Sequence, residues 1–357
     1  MKVEFDTIKK RMLAFWAGES IGQACVAVTA PYQPGDNISM FHNDVRDMDK
    51  NPQALLRYWE DPVTIRQNSL NRINRTWFGG EALPVVYQNY GTSGHCRYYG
   101  AKPTYGNDTI WFDPVWEAIP DSFTFDETEL LRQLVLTKYF CENAGGDYLV
   151  GMPDNCGTMD AISHLRGAVG LMHDLIEEPE KVLKALEAID AGWVDSSERF
   201  YQSAYAVNKG GVHAWMHLWA PDRIVQMQCD YSVMISPKMF EKFALPELLR
   251  QSESADYVVY HFDGIAQERH LDYILSLPNL KAIQWTEVAG EPSPANFIPV
   301  LKRMQDAGKS LVIMCPPNDI LPLLNSLSSR GLYLHTTAKT PEEGERIVAM
   351  VEKHSRD

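Results

Sequence analysis

From Tyr257 to the C-terminus, hydrophobic and polar positions switch repeatedly between a period near 2 and a period near 3.6. Tyr257-Val-Val-Tyr-His-Phe-Asp263 is β-branched and aromatic and predicts a strand. Leu271, Ile274 and Leu277 then recur at helical spacing over 267–277. Residues 281–287 read as the next strand. Ser293 and Pro294 supply an N-cap and a first-turn proline for a helix carrying Phe297, Val300, Leu301 and Met304, which Gly308 ends. A strand at 310–315, a helix at 319–327 and a strand at 331–335 follow. Thr340-Pro-Glu-Glu343 has capping-box spacing and opens a last helix through Val348, Met350 and Val351. Four βα units in a row imply parallel strands joined by right-handed crossovers.

The first half follows the same pattern less cleanly. Strands are predicted at 24–29, 83–87, 147–151 and 212–218, with helices at 127–143 and 178–205 between them. Eight strands is the number that closes a (β/α)8 TIM barrel. No linker or repeat divides the chain, so the expectation is an α/β barrel forming one domain over 1–357, with an N-terminal extension and long active-site loops. A doubly wound open sheet is the alternative, and it lacks a Gly-rich phosphate loop after an early strand. The irregular segments 32–50 and 90–122 suit active-site lids or packing excursions.

Composition narrows the picture. With 45% hydrophobic and 22% charged residues over 357 positions, the chain is globular rather than disordered. Thirty-three Lys and Arg against 47 Asp and Glu leave a net charge of −14, a poor surface for nucleic acid or an anionic membrane. No apolar run is long enough for a bilayer span, and Met1-Lys-Val-Glu-Phe-Asp6 lacks the core of a signal peptide. Six cysteines without a CxxC read as reduced thiols, with Cys25, Cys96 and Cys141 structural. A cytoplasmic enzyme acting on a small molecule is the expectation, with homo-oligomers allowed.

In a barrel, chemistry belongs at the carboxyl ends of the strands. His261 and Asp263 sit at i and i+2, so both face one side of a strand, and imidazole with carboxylate is half of a zinc-type site. The next strand ends carry Glu287, Cys315 and His335. His261, Asp263, Cys315 and His335 could therefore cage a divalent metal, zinc first, with His261, Asp263 and Glu287 as catalytic candidates. The plainer reading makes His261 and Asp263 a hydrogen-bonded pair bracing a loop. His213, Trp215 and His217 alternate along 212–218 and could wall a substrate pocket together with Trp219, or could simply pack. Asp230, before the Ser236-Pro237 helix start, and Asp154, after a strand end, suit either substrate contact or turn bracing. No GxSxG elbow supports a serine nucleophile.

Four segments resemble the uroporphyrinogen decarboxylase superfamily: Ile235-Ser-Pro-Lys-Met-Phe-Glu-Lys-Phe-Ala-Leu-Pro-Glu-Leu248, Tyr260-His-Phe-Asp-Gly264, Ile283-Gln-Trp285 and Thr340-Pro-Glu-Glu343. The resemblance runs from about residue 80 to the C-terminus, and it implies a (β/α)8 barrel with a deep cleft at its carboxyl face. The decarboxylases carry an N-terminal arginine motif and an aspartate after an early strand. Here Thr29-Ala-Pro-Tyr32 has no arginine, and Asn89 stands at the aspartate's position, which argues against tetrapyrrole decarboxylation. The corrinoid-dependent methyltransferases of the same superfamily are similar through an H-x-C zinc site completed by a cysteine on the last strand. His261 matches that histidine, Asp263 replaces the first cysteine, and His335 or Thr336 falls near the second.

The resemblance thus implies methyl transfer between a small methylated substrate or methylcorrinoid and an acceptor, metal-assisted, with a corrinoid-binding protein as partner. Trp219 and Trp285 would wall the substrate, and Asn89, Asp154, His217 and Asp230 would orient its polar atoms. A lyase step on a small carboxylic acid and a non-catalytic binding barrel are the alternatives.

Overall fold

The computed structural model describes residues 4–41 and 50–357; Met1 to Val3 and most of the far half of the expected 32–50 lid, residues 42–49, lie outside it. Thirteen strands occur: β1 (Cys25–Pro31), β2 (Thr76–Gly80), β3 (Val85–Val86), β4 (Pro103–Tyr105), β5 (Ile110–Phe112), β6 (Leu149–Val150), β7 (Gly211–His213), β8 (Leu218–Ala220), β9 (Ile224–Met227), β10 (Tyr257–Asp263), β11 (Leu280–Thr286), β12 (Ser310–Met314) and β13 (Leu332–Thr337). The central sheet has the order β2-β1-β13-β12-β11-β10-β9 and is parallel except for β2, which runs antiparallel to β1. The fold is mixed α/β around a mostly parallel sheet.

The four C-terminal βα units occur where the sequence puts them. Thr340 caps the last helix (Pro341–His354) through a bond from Glu343 N at 3.2 Å, while the Glu343 carboxylate reaches back to Lys339 N at 2.6 Å. Ser236 likewise accepts from Met239 N at the head of the helical run beginning at Pro237. Residues of β10 alternate as a half-polar strand must: Val258, Tyr260 and Phe262 face the helices, and Val259 faces inward with Ala27, Ala282, Val312 and Tyr333. The N-terminal helix Phe5–Ala17 seals that inner floor with Met12, Phe15 and Trp16, whose indole donates to Trp219 O at 2.9 Å. Two residues further along β10, the inner face turns polar at His261 and Asp263.

The expected ring of eight strands joined by continuous ladders is not what the described residues form. β3 pairs only with β6, and β6 reaches β7 through a single bridge between Met152 and His213. Side chains intercept the missing rungs. Asn208 bonds both the N–H and the carbonyl of Val150, His217 Nδ1 accepts from Leu83 N, and Arg72 donates to Val85 O. Pro84 and Pro153 flank these short strands and cannot donate to a ladder. The expected strand 212–218 is also corrected: it breaks into β7, a turn and the antiparallel β8, with His217 in the left-handed region at φ 53°. Trp215 and His217 are turn residues, so strand alternation does not set their direction.

Segment 90–122 is a packing excursion, not a lid. It holds the β4–β5 hairpin and a buried ion network in which Arg97 and Arg132 both pair with Glu60 and Glu129. Among the described residues no helix is long and apolar enough to cross a membrane.

Candidate functional site

A cavity of about 810 Å³ opens at the carboxyl ends of β1, β11, β12 and β13, and residues 36–41 form one of its walls. Of the expected site residues it gathers His217, Glu287, Cys315 and His335, and Trp215 joins them from the β7–β8 turn. The two imidazoles meet edge to face at 4.9 Å between centroids. Burial pulls His335 down to about 4, and burial with His335 and Arg72 nearby pulls His217 well below its ordinary value, so both rings are neutral at pH 7. His217 holds its unusual backbone through the Tyr333 hydroxyl, which donates to its carbonyl at 2.9 Å. His335 Nδ1 and the Thr336 hydroxyl, both at this cavity, have no hydrogen-bond partner in the protein.

Behind Trp215 lies a second polar group on the inner face. The Trp215 indole donates to Asp154 Oδ2 at 3.0 Å, and its ring meets His213 at 5.0 Å and His261 at 5.7 Å. Two chains of side-chain bonds run along the strands. His261 Nδ1 contacts Gln284, whose amide donates to Thr286 at 2.7 Å. His213 contacts Gln226 at 2.7 Å, Gln226 contacts Gln228, and Gln228 donates to Asp230 Oδ2 at 2.8 Å.

Asp230 begins a 3-10 turn, and its N–H donates to the carboxylate of Asp160, which also accepts from Tyr231 N at 2.8 Å. Burial, then the charge of Asp230, pushes Asp160 up to about 8 despite those bonds. Burial, then Asp263 and Asp154, pushes Asp230 up to about 7. Glu247, fully buried, is raised well above its ordinary value by burial and by Asp190 and Asp160. The interior therefore holds carboxyl groups that keep protons near neutral pH.

Among the described residues, no group of three or more His, Cys, Asp or Glu is placed to hold a metal ion. Cys315 and His335 line the large cavity, which His261 and Asp263 do not, and the Trp215 ring stands against His261 at 5.7 Å. Burial, then Asp319 and Glu287, pushes the Cys315 thiol up. His261 Nδ1 is taken by Gln284.

The expected tryptophan walls are core residues. Trp285 is 1% exposed on the helix-facing side, stacked on Phe262 at 5.3 Å and against Phe297 at 5.1 Å. Trp219 belongs to the inner floor, with its indole donating to Asn208 O at 3.1 Å. Asn89 lines a smaller neighbouring cavity, although its carboxamide oxygen is spent on Gly91 N at 2.8 Å. Asp154 lines a minor pocket beside His213 and Gln226.

Sequence reading missed Asp160, Gln226, Gln228, Gln284 and Arg72. Gln226, Gln228 and Asp230 did carry a signal, since polar residues at i, i+2 and i+4 mark a polar inner face on an otherwise apolar strand. Asp160 carried none, because an acid in a first helical turn is ordinary. No family model and no curated protein matches the chain.

Proposed function

We propose that this chain is a (β/α)8-barrel methyltransferase that removes a methyl group from a small methylated substrate, with buried carboxylic acids supplying the proton that the departing heteroatom needs. The observation that carries the reading is the contact of Asp230 N–H with the Asp160 carboxylate at 3.1 Å, between two buried acids whose carboxyls are both raised, Asp160 by burial and Asp230, and Asp230 by burial, Asp263 and Asp154. The barrel reading rests on the way Asn208, His217 and Arg72 bond the backbone of Val150 in β6, of Leu83 before β3 and of Val85 in β3, where ladder bonds are missing. The superfamily resemblance adds a corrinoid-binding partner protein, and our reading makes its reduced corrinoid the acceptor.

The step balances without a metal. The nucleophile's electron pair forms a bond to the methyl carbon as that carbon's bond to oxygen or nitrogen breaks. The pair left on the heteroatom takes a proton from the acid, which solvent restores. Proton donation of this kind contributes about 10²–10⁴-fold. Asp230 would be the donor, with Asp263 and Asp154 helping burial to keep its proton on.

The test treats the protein with chelator, supplies free cob(I)alamin anaerobically with small N- and O-methylated compounds, and follows methylcobalamin by absorbance. Transfer that survives chelation and falls at least about tenfold in Asp230→Asn is the expected result. Release of carbon dioxide without methyl transfer would replace this reading with the carboxy-lyase one, and activity restored only by added zinc would return the cage.

A further inference from the structure

Beside the large cavity lies a smaller one of about 310 Å³, and the two share Asn37, Ser39, Met40 and Arg72. Arg72 stands in the last turn of the helix Pro62–Arg75, in the wall between them. Its side chain makes one hydrogen bond, Nη2 to Val85 O at 2.7 Å, and among the described residues no carboxylate pairs with it. Several other partly buried arginines are matched by acids: Arg11 by Glu81, Arg97 by Glu60 and Glu129, Arg166 by Asp174, and Arg250 by Asp190. Half-buried Arg66 has no acid either, but it spends its N–H groups on Asn143 O and the Tyr148 hydroxyl, whereas Arg72 makes a single bond and lines both cavities. Burial pulls it down to about 10, with only the weakly acidic Tyr87 and Tyr58 opposing.

A guanidinium has five N–H donors, and with one bond made to Val85 O, Arg72 has donors left for a ligand in the cavities it lines. Its planar fork matches a carboxylate in bidentate fashion. The neighbouring groups in the smaller cavity include the neutral amides Asn68, Asn71, Gln88 and Asn89, which leave the donors of Arg72 without a competing acid there. Arg75 also lines that cavity and already has a partner. A single cation balances a monoanion and leaves a phosphate dianion half-compensated. A second, independent atom points to a ligand. Gln88 is 2% exposed, its amide nitrogen donates to Trp59 O at 2.5 Å, and its Oε1 accepts from nothing in the protein. That oxygen calls for an N–H or O–H on the same ligand.

We infer that Arg72 anchors the carboxylate of a small substrate at the junction of the two cavities, with Gln88 accepting from an amine or hydroxyl on that substrate. This deepens the methyl-transfer reading by naming the donor class, a methylated amino or hydroxy acid. Its test reads binding alone, so it stands or falls separately from that reaction.

The experiment uses the intact chain and two readouts at constant ionic strength. Sarcosine, glycolate, acetate, methylamine and inorganic phosphate serve as probes at about 10 mM. The first readout is the melting temperature. The second is the rate at which phenylglyoxal modifies Arg72, followed by peptide mass spectrometry. Sarcosine and glycolate are expected to raise Tm by roughly 2–5 °C and to slow modification of Arg72 several-fold. Acetate should do less, and methylamine and phosphate nothing. Arg72→Met should lose the carboxylate-dependent shift, and Arg72→Lys should keep part of it. If Arg72→Met does not fold, the wild-type modification rates decide by themselves. Equal modification rates with and without every carboxylate would overturn the inference, as would phosphate protecting better than any of them, or an undiminished shift in Arg72→Met.

Discussion

At the scale of single residues, the proposed chemistry turns on two aspartates whose carboxyls burial pushes up. Asp160 is 6% exposed and Asp230 has one oxygen without a partner, so each ionisation places charge where water does not follow. In the unfolded chain both would titrate near pH 4. The folded chain therefore holds extra protons from about pH 4 up to about 8, and its stability falls as pH rises through that window. Asp230→Asn removes one titration and relieves Asp160 of its closest like charge. Urea melts between about pH 5 and pH 8 should show the variant losing less stability than the wild type, by on the order of a few kcal/mol. A variant that loses as much would mean that the pair is already ionised at pH 5.

Few of these residues were legible in advance. The i, i+2 placement of His261 and Asp263 was correct as strand geometry, but period alone cannot tell a ligand from a side chain already bonded to Gln284. Trp285 misled for the same reason. It sits one residue after an inward glutamine, and its own direction is outward.

At the scale of elements, the sequence was readable wherever local signals and burial agreed. Thr340 caps the last helix as the capping box requires, and Thr340→Ala should cost about 1 kcal/mol, measured by denaturant midpoint at constant slope. Trp285 packs between Phe262 and Phe297 in the layer under the helices, so Trp285→Ala should cost about 3–5 kcal/mol and leave the affinity of any cavity ligand unchanged. Weaker ligand binding with little loss of stability would return Trp285 to the cavity wall. The first-half strands were harder to read. β3, β6 and β7 have two or three residues each, too few for alternation to show. Their backbone partners include side chains distant in sequence, such as Asn208 for Val150 and His217 for Leu83. Long-range bonds of that kind leave no periodic trace.

At the scale of the whole molecule, the parallel arrangement of β10–β13 followed from counting βα units, whereas β9 was not among the expected strands, and the inner face follows from the sheet they form: an apolar floor at the N-terminal helix and a polar rim at the carboxyl ends. The ligand-type residues at successive strand ends suggested one cage. Instead Cys315 and His335 line the large cavity while His261 and Asp263 do not, and the Trp215 ring stands against His261. Purified protein treated with chelator should accordingly keep its melting temperature within about 1 °C, because no native ligand set would be emptied. A drop of several degrees that zinc reverses would contradict that division.

The account depends most on carboxylic acids that remain protonated at neutral pH inside the fold. The direct measurement is a pH titration of the ¹³C-carboxyl resonances of labelled aspartates in the intact protein, repeated in Asp230→Asn. Two aspartates titrating with midpoints above about 6, one lost in the variant and the other moved lower, is the result expected. If every aspartate titrates below about 5, the interior has no proton to give at neutral pH, and the proposed chemistry is wrong.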